Sequence, residues 1–251
     1  MVDRNRSCSA HFYEQSSPVE RPTVFSVAHL ETPLVRWQWP FAQEQRDKIA
    51  EHFDKLRKKT PVLWNGRVLL MNGCTTTKQT IRGTFFETNY ADFIAWRDWG
   101  FPDGNIINAF AMGAIRTADG AYLLGVMSPA TVNAGQIYFP SGTPDLSDVA
   151  DGGVNLAGSV MREVAEETGL GADDFEASTA WTAVRDGAYL ALMRHLRARE
   201  DAETLRARII DTLASQENPE FSDIRIVRSR SDYDPRMPPF ITAFLDHVLA
   251  D

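Results

Sequence analysis

The chain has 251 residues, enough to bury a full core as one large domain or as a core with an addition. At 43% hydrophobic and 24% charged residues it has the composition of a soluble globular protein, which excludes a disordered chain. A formal net charge of −8 argues against bulk attraction to long nucleic acid or an anionic membrane, yet an acidic protein still handles phosphates when a metal ion supplies the positive charge.

The opening "MVDRNRSCSA" has no apolar run behind its charges, so no signal peptide is expected, and no stretch is long and apolar enough to span a bilayer. Cys8 and Cys74 match neither a disulfide framework nor a zinc site. A cytoplasmic location is the expectation.

Residues 1–22 are polar and broken by "SSPVERP", which predicts a loosely held leader. "TVFSVAHLE" predicts a strand. "FAQEQRDKIAEHFDKLRKK" predicts an amphipathic helix, with Ile49, Phe53 and Leu56 at helical spacing and basic residues at its C-terminal end. "PVLWNGRVLLMNG" predicts a hairpin turning at Asn65-Gly66, and "NYADFIAWRDWG" a short helix ended by Gly100.

The texture changes near Pro102-Asp103-Gly104, which divides an N-terminal extension, 1–104, from a second unit, 105–251. "NAFAMGAIRT", "AYLLGVM" and "GQIYFPSG" predict three strands. "LAGSVMREVAEET" follows as a helix with Asn155 as N-cap and Gly169 as C-cap. "STAWTAV" and "AYLALMRHLRA" predict a hairpin around Arg185-Asp186-Gly187. "DAETLRARIIDTLASQ" is helical, "SDIRIVRS" a strand and "PPFITAFLDHVLA" a terminal helix. Strands and helices mix throughout, an α/β or α+β layout.

The helix "REVAEETGL" carries Glu163, Glu166 and Glu167, spaced to share one helix face. A solvated acidic face is the plain reading, but Leu156, Val160, Val164 and Leu170 supply a core stripe and leave the acids without interleaved lysines. Arg162 is their one intrahelical partner. Clustered acids without cations suit hard divalent ions, which prefer oxygen ligands.

These residues resemble the Nudix box, Arg-Glu-aliphatic-x-Glu-Glu-x-Gly-aliphatic, and the upstream "FPSG", Phe139 to Gly142, looks like its opening strand and turn. The resemblance covers about residues 105–230. It implies a Nudix α/β/α sandwich around a mixed sheet, with Mg²⁺ or Mn²⁺ held by Glu163, Glu166 and Glu167 and by the carbonyl of Ser141. It implies that Glu163 is a further ligand or the base that activates water, and that Arg162 orients the glutamates. The sequence departs from the pattern in two ways. Gly142 and Arg162 lie 20 positions apart, six more than usual, which places an insertion in "TPDLSDVADGGVN". The glutamate that usually partners the arginine falls at Val154, leaving Asp148 or Asp151 to replace it. A further acid from a later loop would come from Glu200, Asp201 or Glu203.

The implied activity is hydrolysis of a diphosphate linking a nucleoside to another moiety. "PVLWNGR" and "TNYADFIAWRDWG" resemble the N-terminal part of the subgroup that cleaves UDP-glucose, which makes a nucleotide sugar the expected substrate. The same box serves coenzyme A, dinucleotide and mRNA-cap hydrolases, and Nudix domains also act as non-catalytic nucleotide-binding regulatory modules. Scattered arginines such as Arg82 and Arg116 would have to converge to hold the 3′-phosphate of coenzyme A. Trp64, Tyr90, Phe93, Trp96 and Trp99 offer rings to stack on a base, or else pack the N-terminal layer. His195 reads as a packed residue, and His11, His29, His52 and His247 lack metal-ligand spacing. The expected partner is a small nucleotide, with no long nucleic acid and no membrane, and a homodimer is left open.

Overall fold

The computed structural model describes residues 21–60 and 63–250. The predicted leader, Cys8, His11 and the start of the predicted hairpin at residues 61–62 lie outside the described residues. Strands β1, Thr23–Val27, and β2, His29–Glu31, realise the strand predicted for "TVFSVAHLE". The amphipathic segment becomes α1, Pro40–Glu44, and α2, Arg46–Lys59, separated at Gln45. Ile49 and Phe53 are its buried side chains, and Arg57, Lys58 and Lys59 sit where the helix dipole favours cations.

The next stretch corrects the sequence reading. No strand forms at residues 63–66. Asn65 does not turn a hairpin; its Oδ1 accepts a hydrogen bond of 2.8 Å from the N–H of Ala91. The hairpin lies one segment later, between β3, Arg67–Thr77, and β4, Thr80–Asn89. It turns on Lys78 and Gln79, both with positive φ (46° and 65°), a type I′ geometry that ordinarily favours Asn and Gly. Helix α3, Tyr90–Asp98, follows, and the reversal after it runs through Gly100 at φ 78°.

Strands β5, Ile106–Arg116, β6, Tyr122–Met127, β7, Ile137–Tyr138, and β8, Ser141–Gly142, come next. The insertion folds into a short 3₁₀ turn and a small ribbon of β9, Val149–Ala150, and β10, Gly153–Val154. Helix α4, Leu156–Thr168, carries the glutamates. The chain then forms β11, Phe175–Asp186, β12, Tyr189–Ala198, α5, Ala202–Ser215, β13, Phe221–Val227, and α6, Pro239–Val248.

Among the described residues the main sheet has eleven strands, with the order β1-β11-β12-β5-β3-β4-β2 and branches through β6, β7, β8 and β13. It is mixed: β12 runs parallel to β5 and β2 parallel to β4, while the other named pairs are antiparallel. The sheet runs through both halves of the sequence, since β1 pairs with β11 and Met71 of β3 lies opposite Ile107 of β5.

The alternation along β5 explains how helices cover both faces. Asn108, Phe110 and Met112 point to one side, where Phe110 meets Phe240 of α6 at 5.6 Å between ring centroids. Ala109, Ala111 and Gly113 point to the other. There a Cβ on Gly113 would lie 2.5 Å from Cγ2 of Val164, so α4 approaches a strand face stripped to small residues. Helices α4 and α6 thus enclose the sheet in an α/β/α arrangement. No helix of the described residues is long and apolar enough to cross a membrane.

Candidate functional site

Helix α4 starts and stops as its sequence predicts. The Asn155 side chain accepts from the N–H of Gly158 at 2.9 Å, and Gly169 takes the left-handed conformation at φ 73° that L side chains avoid. Leu156, Val160, Val164 and Leu170 are buried as the stripe requires. That orientation divides the three glutamates. Glu163 and Glu167 are buried, at 9% and 2% exposure, whereas the Glu166 side chain is 59% exposed.

The turn "PSG" lies across these acids as β8. The N–H of Ser141 donates to Oε2 of Glu167 at 3.0 Å. In an extended residue the N–H and C=O point to the same edge, so the Ser141 carbonyl is directed the same way. Gly142 is needed for space: a Cβ there would lie 2.0 Å from Oε1 of Glu163.

Arg162 gathers the rest. Its Nη2 lies 2.9 Å from Oε1 of Glu163 and donates to Oδ1 of Asp148 at 3.0 Å, and its Nη1 donates to Oε2 of Glu166 at 3.2 Å. Asp148, buried in the 3₁₀ turn of the insertion, is therefore the acid of the two candidates that pairs with Arg162, while Val154 is itself buried in β10. Asp151 instead occupies an exposed turn position at φ 50°. The insertion is also tied to the N-terminal segment, where the N–H of Leu34 donates to Gly152 O at 2.9 Å and that of Val154 to Thr32 O at 3.0 Å.

Burial, opposed by Arg162 and reinforced by Glu166 and Glu220, pushes the Glu163 carboxyl up to about 7. Burial followed by the charges of Glu220 and Glu163 drives Glu167 well above the usual carboxylate range. The charge of Glu220, immediately before β13, acts on both carboxyls. Glu200, Asp201 and Glu203 are engaged at the start of α5: Glu200 with Arg208, Asp201 capping Thr204 at 2.9 Å, and Glu203 3.7 Å from Arg228. No sequence signal marks Glu220, because the fold of β13 against β6 brings it in.

Among the described residues no three His, Cys, Asp or Glu side chains converge into a metal cage as they stand. The donor chemistry nevertheless fits a hard divalent cation. Oε1 of Glu167 is buried without a hydrogen-bond partner, and burial with neighbouring acids opposes ionisation of Glu163 and Glu167, a cost that a bound cation would offset.

Ser141 and Gly142 border a cleft of 760 Å³ on the α6 side of the sheet. Tyr90, Phe93 and Arg97 of α3 contribute to one wall, and Phe110, Tyr189 and Phe240 to another. Of the other N-terminal rings, Trp96 is fully buried, while Trp64 and Trp99 are 66% and 36% exposed. His195 is packed as expected, against Phe244 and hydrogen-bonded to Thr182 at 2.9 Å. His52 pairs with Asp98 at 2.9 Å. Arg82 is held by Glu31 and Arg116 lies over the Tyr122 ring, so each is committed elsewhere.

No protein-family model and no curated protein matches the chain. Solved structures do. A Nudix hydrolase from M. smegmatis aligns over 57% of this chain and 84% of its own, with 19% identity and a TM-score of 0.37. A MutT protein from Methanosarcina mazei Go1 aligns over 57% and 92%, with 18% identity and a TM-score of 0.37. A bifunctional NMN adenylyltransferase/ADP-ribose pyrophosphatase from Francisella tularensis aligns over 63% and 45%, with 11% identity and a TM-score of 0.39.

Proposed function

We propose that the chain is a divalent-metal-dependent Nudix-type hydrolase that cleaves the diphosphate of a nucleoside diphosphate joined to another moiety, with a nucleotide sugar, UDP-glucose first, as substrate. The observation that carries the reading is a buried carboxylate on Glu167 with one oxygen unpartnered, inside a "REVAEETGL" helix, joined by its other oxygen to Ser141 at the border of a cleft of nucleotide size. In this reading residues 105–251 carry the chemistry, and residues of 1–104 wall the cleft.

Glu163, Glu166, Glu167 and the Ser141 carbonyl would hold Mg²⁺ or Mn²⁺, with Glu220 as an additional oxygen donor. Bound there, the cation would neutralise diphosphate oxygens and lower the barrier to attack by water. Arg162 fixes Glu163 against Asp148, and Gly142 leaves Glu163 room to face the substrate. Glu163 receives the proton of the attacking water. The new P–O bond forms as the bridging P–O bond breaks, releasing a nucleoside monophosphate and a sugar phosphate. The aromatic walls hold the base and exclude water from one side of the cleft.

The test is competition among nucleotide sugars, coenzyme A and dinucleotides at equal concentration with Mg²⁺ or Mn²⁺, with products identified by mass in ¹⁸O-water. A nucleotide sugar consumed first, with one ¹⁸O in a phosphate product, is the expected result. Ready hydrolysis of coenzyme A or dinucleotides with every nucleotide sugar intact rejects the substrate. Binding without turnover of any of them makes the chain a regulatory module.

A further inference from the structure

We propose that the end of the cleft around Asn108 is a subsite for a planar heterocycle with an N–H donor, that is a nucleobase, and that the Asn108 carboxamide selects it. This rests on the reading of the cleft as a nucleotide site. Asn108 is 7% exposed, lines the cleft, and its Oδ1 is buried with no hydrogen-bond partner. A buried acceptor left unpaired is unfavourable and rare in folded proteins. A ligand that brings a donor removes that penalty.

The surroundings say what kind of ligand. Asn108 and Phe110 stand two apart on β5 and so share a face, and Tyr189 lies opposite Asn108 in the β12 register. Phe110, Tyr189 and Phe240 form one aromatic group, with centroids 6.4 Å, 5.6 Å and 6.3 Å apart in pairs. An apolar, aromatic wall with a convergent carboxamide suits a flat ring. A sugar would present several hydroxyls, each needing a polar partner. A carboxamide also offers a donor beside an acceptor, the same pairing that the edge of a base presents. Arg97, Asp186 and Arg236 are the charged residues that also line the cleft.

The experiment is calorimetry in chelator with AMP, GMP, CMP and UMP against ribose 5-phosphate as the probe without a base. Because no hydrolysis is involved, its outcome is independent of the proposed reaction. In the wild-type chain at least one nucleotide should bind about tenfold more tightly than ribose 5-phosphate or better. Asn108→Leu should cut that preference to about threefold or less, leave ribose 5-phosphate binding unchanged, and keep or raise Tm, since it removes an unpaired buried group. Asn108→Asp, which keeps the acceptor and loses the donor, should change the order of preference among the bases. Equal binding of nucleotides and ribose 5-phosphate by wild type overturns the proposal. So does an Asn108→Leu variant that keeps its preference, or one whose Tm falls by more than about 5 °C, which would make Asn108 a structural residue.

Discussion

Gly142 and Glu163 compete for one place: a Cβ on residue 142 would sit 2.0 Å from Oε1 of Glu163 and 2.5 Å from its Cδ. The glycine of the turn and the first glutamate of the helix therefore form one unit, although 20 positions separate Gly142 from the neighbouring Arg162. The consequence is testable. Gly142→Ala displaces the flexible end of Glu163 and should lower turnover by about 10- to 100-fold, with little change in Tm. Gly113→Ala drives a Cβ into Val164 in the core and should show the opposite pattern, a lowered Tm as its first effect. Equal turnover in Gly142→Ala and wild type would remove Glu163 from the reaction.

Glu167→Gln replaces a buried carboxyl, whose ionisation burial and the charges of Glu220 and Glu163 oppose, with a neutral amide of the same shape. Without metal the variant should melt at the same temperature as wild type or higher, because an amide needs no proton taken up to stay neutral in the buried site. With saturating Mg²⁺ it should lose orders of magnitude in kcat and most of the metal-induced rise in Tm. Glu166→Gln should also lose turnover but alter the apo Tm less, its side chain being 59% exposed. Wild-type turnover in both variants would reject the metal assignment.

The pH dependence of stability carries a sign. With a folded-state value of about 7 for Glu163, the native state keeps a proton that the unfolded chain gives up near 4.5. This contribution is complete below the unfolded value and is lost as pH rises through the folded one, amounting to roughly 3 kcal/mol at most. The buried His195, whose value is lowered, acts in the opposite direction. The measurement is therefore a difference: in chelator, wild type should lose more stability than Glu163→Gln between about pH 5 and about pH 8. Identical slopes would show that the Glu163 carboxyl is not perturbed.

Asp148 and Asp151 separate cleanly. Asp148→Asn removes the charge facing Arg162 at 3.0 Å and leaves one acceptor where two are used, the second being the Oδ2 that accepts from Asp145 N–H at 3.0 Å in the cap of the 3₁₀ turn. A loss of about 1–3 kcal/mol is expected, with a fall in kcat as Arg162 is released. Asp151→Asn should be close to neutral by denaturant titration. Comparable losses in the two variants would contradict the pairing.

Short-range physics made much of this protein legible in the linear chain. The α4 helix, its Asn155 and Gly169 caps, its buried stripe and the glutamate spacing depend on residues within a turn or two of one another, and they fold as read. So do the Arg185-Asp186-Gly187 hairpin and the alternation that makes β5 a two-faced strand. What failed, or stayed open, depends on partners distant in sequence. Asn65-Gly66 has the chemistry of a tight turn, but strand pairing assigned the turn to Lys78-Gln79 and set Asn65 against α3. The choice between Asp148 and Asp151 was decided by which one the insertion's fold buries beneath Arg162. Glu220 influences Glu167 because the pairing of β13 with β6 brings that end of the chain in, and the unpaired carboxamide oxygen of Asn108 acquires meaning only because Tyr189 and Phe240 line the same cleft. Local preferences amount to fractions of a kcal/mol per residue and determine elements; burial and long-range pairing are larger and determine which side chains meet.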